Sequence, residues 1–452
     1  MVGGGLAGLS AAWAARDTDV LLLEKEDRVG GRIRSERRGQ YWLNWGAHVF
    51  GGPGSATGEL MAATAVTAAP VPGNLSALAM NGRLLTGGRV ETYPFRIPMA
   101  WPSRIAALRA GARVRLAVAR YERVVAPRPG EDYLVRQQRL YEFMSDRTFR
   151  AFIGALPEDA DALLRPTVTR SAAEPEEIAA GAGVGYFHLV WNRGEGLSRN
   201  VLGGSSEFPG AIAASLGSNV KLRSEVREVI LHEHHAEVSF TSDAGRAETV
   251  TARHVIMATP APITRAVVRN LPPDLAAALE RIVYGPYVSA AFLTNEAGPA
   301  RWDDCYAIAS PKRSFNVVFN MTSVIRGRER ERQPGSSIMV FSPAGLARAL
   351  LDRDDSDVLA TYLADLNEIF PGLPELVTES QVQRWPLGLA YCFPGRGRLQ
   401  GTLLRPHDRL TIAGDYLGTW YTETAIQTGW RAARHAVASL GDAASARTRA
   451  VP

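Results

Sequence analysis

Short apolar runs that end in glycine alternate with longer stretches of helical periodicity along this chain of 452 residues. Val2 leads into a glycine turn, residues 6–15 carry the spacing of a buried helix, and Val20-Leu21-Leu22-Leu23 reads as a short buried strand. Strand, turn, helix and strand in that order open a parallel α/β sheet. Between about 100 and 200 the pattern is mostly helical, with helices predicted over 103–121 and 131–153 and a break at Pro127, Pro129 and Gly130. After Gly203-Gly204-Ser205-Ser206 the period falls to two. Segments 220–231, 236–241 and 248–259 alternate apolar and polar positions, carry β-branched residues and are joined by short polar turns. The third of them ends in Val255-Ile256-Met257-Ala258-Thr259-Pro260, a buried strand running into a proline-bounded loop. Further strands are predicted near 287–293 and 337–341, and a helix over 354–370. Leu410-Thr411-Ile412-Ala413-Gly414-Asp415 is another strand ending in glycine and an acid, followed by a helix over about 422–440.

Strand-to-loop ends of the same kind thus lie about 400 residues apart, which predicts one discontinuous domain closed by both ends of the chain. The expected fold class is α/β. A Rossmann-like domain would be built from 1–84, 201–286 and 386–445. A mixed α+β substrate-binding domain with a helical subregion would be built from 85–200 and 287–385.

The turn itself reads Gly3-x-Gly5-x-x-Gly8. In such a turn the first glycine permits the sharp bend, the second lets a pyrophosphate approach the backbone, and the third lets helix pack close on strand. The helix beginning at Leu6 and Ala7 would aim free N–H groups and its positive end at the phosphates. Glu24 stands 21 residues after Gly3, at the end of the next strand. A carboxylate there accepts from both ribose hydroxyls and disfavours the extra phosphate of NADP. Only Met1 and Val2 precede the turn, fewer than the about five residues of an ordinary strand. The expectation is that the first strand begins upstream rather than being a stub.

Composition narrows the partners. With 46% hydrophobic residues the chain can bury two or three cores, and no apolar run reaches the about 18 residues of a spanning helix. The start lacks the basic leader and cleavage site of a secretory signal. Cys305 and Cys392 are the only cysteines, which gives no disulfide framework and no cysteine metal site and fits a reducing, cytoplasmic setting. The net charge is +5, yet lysine occurs only at Lys25, Lys221 and Lys312; the rest is arginine spread through an Ala/Gly/Arg-rich chain. No stripe of basic and aromatic residues marks a nucleic-acid surface. Arginines 104, 109, 113, 115, 120 and 123, interleaved with apolar residues, are expected to form a solvated helix face rather than a membrane contact. A monomer or homodimer is expected. No carboxylate–histidine set has metal-ligand spacing, and no G-x-S-x-G elbow is present.

Five blocks resemble the flavin amine oxidase, protoporphyrinogen oxidase and phytoene desaturase superfamily. Arg28-x-Gly30-Gly31-Arg32-Ile33-x-Ser35 is similar to its second flavin motif, and Asn44-x-Gly46-Ala47-His48-Val49-Phe50 to the segment beside the isoalloxazine. Gly203-Gly204 with Val226 resembles the block whose valine meets the adenine edge, and Thr259-Pro260 the loop crossing the cofactor. Ala413-Gly414-Asp415 with Tyr421-Thr422-Glu423-Thr424-Ala425-Ile426 resembles the C-terminal block. The resemblance implies noncovalent FAD. Arg32 and Gly31 would lie along the pyrophosphate and flavin, with Gly46, Ala47, Val226 and Thr259 around the cofactor. Lys25 would follow Glu24 at the ribose, Gly414 and Asp415 would meet the ribityl or pyrophosphate region, and backbone N–H groups at Thr422 and Glu423 would face the flavin pyrimidine. Many amine oxidases of the superfamily carry a lysine in the strand where this chain has Ser289, as protoporphyrinogen-oxidase-like members do not; the chain leans towards the latter. The family's glycine at the position of Thr424 is also replaced.

Three residues are candidates for the chemistry. His48 would sit beside the flavin as a donor or base, or else as a packing residue. Tyr421 and, more loosely, Tyr391 match the two aromatics that flank the flavin face in amine oxidases; with their neighbours Trp420 and Phe393 they precede cofactor-facing segments, and the alternative for each is a core aromatic. Cys392 stands too close to Pro394-Gly395 to match a cysteine that links flavin covalently. The expected reaction is FAD-dependent oxidation of a C–N or C–C bond of a small organic substrate, possible in specialised biosynthesis, by hydride transfer to flavin N5, with oxygen or another electron acceptor. Two alternatives stay open: redox-neutral chemistry like that of UDP-galactopyranose mutase, which Gly46-Ala47-His48-Val49-Phe50 and Tyr93-Pro94-Phe95 resemble, and a flavin-binding structural partner without catalysis.

Overall fold

The computed structural model describes residues 1–71, 77–191, 197–329, 331–407, 409–419 and 421–449; Trp420 lies outside them. Its organising element is a parallel sheet with the order Val220–Lys221, Leu22–Leu23, Val2, Val255–Met257, Leu410–Ile412. Met1 and Val2 hold the central position. The Gly3 N–H donates to Leu23 O at 2.9 Å, and Val2 O accepts from Ala258 N at 2.8 Å. Because the strands are parallel, their carboxyl ends share one edge. Gly3, Glu24, Ala258-Thr259 and Gly414-Asp415 all follow directly from those ends, which is where an open α/β sheet binds its ligand.

Helix Leu6–Ala14 packs on this sheet and against helices Glu207–Leu216 and Tyr421–Arg449, around a core that includes Leu9, Ile256, Phe208 and Ile426. The predicted strand over 220–231 is two strands. Arg223, at φ +48°, turns the chain so that Val220–Lys221 stays in the parallel sheet while Glu225–Leu231 joins an antiparallel sheet with Ala236–Thr241 and Ala247–Ala252. The predicted strand over 248–259 divides in the same way, into Ala247–Ala252 and Val255–Met257.

The second layer is a seven-stranded sheet with the order Val377–Ala390, Tyr284–Thr294, Ser337–Pro343, Val317–Asn320, Ala307–Ala309, Ala77–Met80, Arg83–Leu85. Its period-two alternation separates the faces. Val288, Ala290 and Phe292 pack with Val358, Tyr362 and Leu366 of helix Asp355–Ile369. Tyr287 and Ser289 point to the other face, towards the parallel sheet. Strand Val377–Ala390 carries no clear sequence signal because Pro386 and Gly388 interrupt it; as the edge strand it tolerates a residue without an N–H.

A helical layer covers one side, formed by Trp101–Val125, Tyr133–Glu142, Phe149–Ile153, Glu158–Thr169 and Ala180–Trp191. The helix predicted over 131–153 is broken, with Met144 at φ +46° and the Thr148 side chain capping Phe149–Ile153. Helix Trp101–Val125 buries Ala110, Val114, Ala117, Val118 and Tyr121, and leaves Trp101, Ile105 and Leu116 exposed among its arginines. Among the described residues no helix is long and apolar enough to cross a membrane.

Candidate active site

A cleft of about 2020 Å³ runs from the glycine turn, between the two sheets, to the helical layer. At one end the glycines of the turn do different work. A Cβ on Gly8 would stand 1.9 Å from Gly3 O, and one on Gly3, at φ +103°, would stand 2.8 Å from Ala258 O. Gly8 is therefore a packing glycine and does not line the cleft. A Cβ on Gly5 would meet nothing within 4 Å. The turn thus presents bare backbone to open space at the position where a pyrophosphate is expected, ahead of the unpaired N–H groups of Leu6 and Ala7.

Glu24 is fixed by that backbone: Oε2 accepts from Gly4 N at 2.5 Å and Oε1 from Glu26 N at 2.9 Å. Each carboxylate oxygen keeps a lone pair for a ribose hydroxyl. Lys25 pairs with Glu26 at 3.2 Å on the same rim. Val226 and Thr259 line the opposite side, the Thr259 hydroxyl bonded to that of Thr264 at 2.8 Å.

Midway along, Arg32 Nη2 donates to Asp415 Oδ1 at 2.7 Å and Nη1 to Gly388 O at 3.0 Å, which joins segments more than 350 positions apart in the chain. Burial opposes the Arg32 charge, but the Asp415 carboxylate and nearby Tyr284 more than restore it, so its pKa is raised. Gly31, Gly46 and Ala47 border this stretch, and Gly414 with Thr422 closes it. The Thr422 hydroxyl is buried without a partner among the described residues. Bare turn, anchored ribose acid, charge pair and orphaned hydroxyl form a channel that fits an extended dinucleotide such as FAD.

Beyond it lies an aromatic chamber. Tyr287, Tyr306, Phe319, Met339, Phe341, Trp385 and Tyr421 line its walls, with Arg170 at its floor. Tyr421 opens helix Tyr421–Arg449 in a left-handed conformation, φ +43°, the kind of local strain that persists where the surroundings dictate it. Ser289 stands on this face, its hydroxyl donating to Trp45 O at 2.7 Å, and the Trp385 indole donates to the same carbonyl at 3.1 Å. A compact hydrogen-bonded pair thus fills the place where the resemblance puts a lysine.

Three of the expected residues have surroundings that the sequence did not show. His48 lines the cleft, but Nδ1 lies 3.0 Å from Gly46 O, so it carries the proton and donates there, while Nε2 is buried without a partner. The ring packs edge-on to Phe319 at 4.6 Å, and burial lowers its pKa to about 4, which keeps it neutral near pH 7. Tyr391 lies with Cys392 on a second cavity of about 900 Å³ behind Tyr421, because the chain has left the edge strand by then. The Glu423 carboxylate accepts from Ala56 N, Thr57 N and the Thr57 hydroxyl, capping helix Ala56–Ala63, which leaves the expectation for the Glu423 backbone N–H untouched. Arg170, Tyr287, Tyr306, Phe341 and Trp385 were not foreseen: an aromatic residue in a strand reads as core, and nothing local marks Arg170.

His48 also makes a pH prediction. Its folded pKa lies below the ordinary value of 6.5, so the unfolded chain binds the extra proton first and stability is lost as pH falls from about 6.5 towards 4. The loss attributable to this residue is about 3 kcal/mol when complete. His48→Gln should flatten that part of a stability-against-pH curve measured by denaturant unfolding; an unchanged slope would show that the ring does not titrate in the fold.

The family model described as flavin containing amine oxidoreductase matches residues 6–437. Amine oxidase [flavin-containing] A of Bos taurus is 25% identical over 481 residues, covering 98% of this chain and 85% of its own. Putrescine oxidase in complex with putrescine superposes with a TM-score of 0.75 at 19% identity, over 97% of this chain and 98% of the other. Cyclohexylamine oxidase from Brevibacterium oxydans IH-35A gives 0.75 at 16% identity with the same coverage, and these two likenesses speak for the fold.

Proposed function

Because the chain belongs to the flavin containing amine oxidoreductase family, we propose that it oxidises the C–N bond of a small amine held in the aromatic chamber, the noncovalent FAD accepting a hydride equivalent at N5. The observation that carries this reading is the single cleft that leads from the Gly5 backbone, past the Arg32–Asp415 pair, to the wall of Tyr287, Ser289 and Tyr421. The supply of both a dinucleotide channel and an apolar slot at its end favours oxidation over a purely structural role.

Each part of the chain has a task in this reading. Gly3, Gly5, Leu6 and Ala7 hold the pyrophosphate through backbone groups, with Gly8 supporting the turn. Glu24 holds the ribose, with Lys25 at its rim, and Val226 and Thr259 border the adenosine half. Gly31, Arg32, Gly46, Ala47, Gly414 and Asp415 border the flavin half. The first N–H groups of helix Tyr421–Arg449, at Thr422 and Glu423, favour negative charge on the reduced ring. Tyr421, Tyr287 and Phe341 exclude water and orient the substrate carbon. The division into 1–84, 201–286 and 386–445 for the cofactor and 85–200 and 287–385 for the substrate accords with these tasks. Cys392 on the second cavity, away from the cleft, favours noncovalent attachment. Oxygen is the proposed acceptor, and simple C–N oxidation replaces the protoporphyrinogen-oxidase leaning.

Anaerobic mixing of the purified holoprotein with a panel of primary and secondary amines tests the proposal. At least one amine should bleach the long-wavelength flavin absorbance, and admission of air should restore it. If dithionite bleaches the flavin but no amine does, C–N oxidation is the wrong assignment.

A further inference from the structure

We propose that Arg170 is the anion-binding residue of the substrate chamber, so that the amine oxidised there also carries a carboxylate or phosphate group; this rests on the amine-oxidation reading above. Arg170 terminates helix Glu158–Thr169, and its carbonyl accepts from the Tyr287 hydroxyl at 2.5 Å, which fixes the residue against the chamber wall. Its guanidinium has no hydrogen bond or ion pair with any described residue. Every other arginine on the cleft is engaged. Arg32 pairs with Asp415, Arg34 with Glu36, Arg89 with Glu91 and Arg384 with Asp355. Arg28 donates to the carbonyls of Val29, Gly31 and Ile33, and Arg115 lies over the Trp191 ring at 5.5 Å.

The surroundings of Arg170 are as telling as its lack of a partner. Its positive charge bears on His48, Tyr287, Tyr306 and Tyr421, and no carboxylate bears on any of these four. His48 is neutral, and the Tyr306 hydroxyl accepts from Asn200 Nδ2 at 3.0 Å. An arginine that is partly buried beside several phenols and has no counter-ion among the described residues leaves its guanidinium N–H groups available to a bound anion. The planar fork of guanidinium N–H groups matches the paired oxygens of a carboxylate or phosphate. A substrate whose only charge is a protonated amine would meet repulsion at the same place.

The test uses the oxidised holoprotein and reads perturbation of the flavin spectrum. Benzoate and phenyl phosphate are titrated against benzamide and benzylamine, which share the ring and lack the negative charge. At least one of the two anions should bind about tenfold more tightly than benzamide, and which of them does so assigns the group as carboxylate or phosphate. Arg170→Met should abolish that preference while leaving FAD content unchanged, and Arg170→Lys should keep part of it. Equal binding of benzamide and both anions, or anion binding unchanged in Arg170→Met, overturns the assignment. The companion reading is scored separately by anaerobic bleaching with benzylamine and with its carboxylated counterpart 2-phenylglycine. Anion binding through Arg170 with no bleaching by any amine retains this site and removes amine oxidation. Bleaching by benzylamine as fast as by 2-phenylglycine, with no anion preference, removes the Arg170 site alone.

Discussion

Gly5→Val is expected to give a folded but colourless protein. A Cβ added there meets no atom within 4 Å and the Gly5 backbone has φ −71° and ψ 176°, which a side chain accepts without strain, so the fold is expected to tolerate the change. The space it enters is the opening in front of Leu6 and Ala7, where the backbone must come within hydrogen-bonding distance of a pyrophosphate. Displacing that contact should weaken FAD binding by about 100-fold, or ~2.7 kcal/mol. Gly8→Val makes the contrasting case, since its side chain would collide with Gly3 O inside the helix–strand contact and should destabilise the whole sheet. The flavin-to-protein absorbance ratio and the thermal midpoint together separate the two outcomes. A Gly5→Val protein with full yellow colour would remove the turn from the cofactor site.

Arg32→Met carries the second large effect. The Asp415 side chain is only 11% exposed, and Arg32 is its ion-pair partner at 2.7 Å. Removing the cation while keeping the carboxylate leaves a mostly buried charge alone, which costs about 3–5 kcal/mol in comparable sites. The same substitution frees Gly388 O on the edge strand, so the seam between the two sheets loosens where the flavin ring is proposed to lie. Unfolding by denaturant should show the loss, and flavin content after purification should fall with it. Pairing Arg32→Met with Asp415→Asn should recover part of the stability, because the second change removes the stranded charge. If the single variant is as stable as the parent, the pair contributes nothing to holding the two ends of the chain together.

The sequence declared the cofactor channel because that channel is made of local rules. Gly3 and Gly8 must be glycine for reasons of space within one turn, Gly5 keeps the opening clear for a pyrophosphate, and Glu24 must follow at the end of the next strand. Gly31 with Arg32 and Gly414 with Asp415 are short signatures that keep their meaning wherever the rest of the chain goes. The parallel sheet was readable from the same runs, as were the long helices and the alternating strands after 220. Boundaries failed where a single residue redirects the chain: Arg223 splits one strand and Met144 interrupts one helix, each in a left-handed conformation no hydrophobic pattern reveals.

The substrate wall obeys a different logic. Tyr287 faces Phe341, their rings 5.5 Å apart, and Arg170 joins them only because helix Glu158–Thr169 ends against that sheet. Tyr391, three residues beyond Gly388, falls on the second cavity because the edge strand has already ended, and the Glu423 carboxylate caps a helix 366 positions earlier. His48 keeps its place on the cleft, and burial holds its ring neutral. Residue type and short spacing determined a glycine turn, an acid at the end of the next strand and a channel between the ends of this chain where FAD is proposed to lie, because phosphate and ribose are recognised by backbone turns and fixed offsets. Which side chains line the aromatic chamber was decided by tertiary structure alone, because sheet register and helix ends bring together residues whose neighbours in sequence say nothing about what they face.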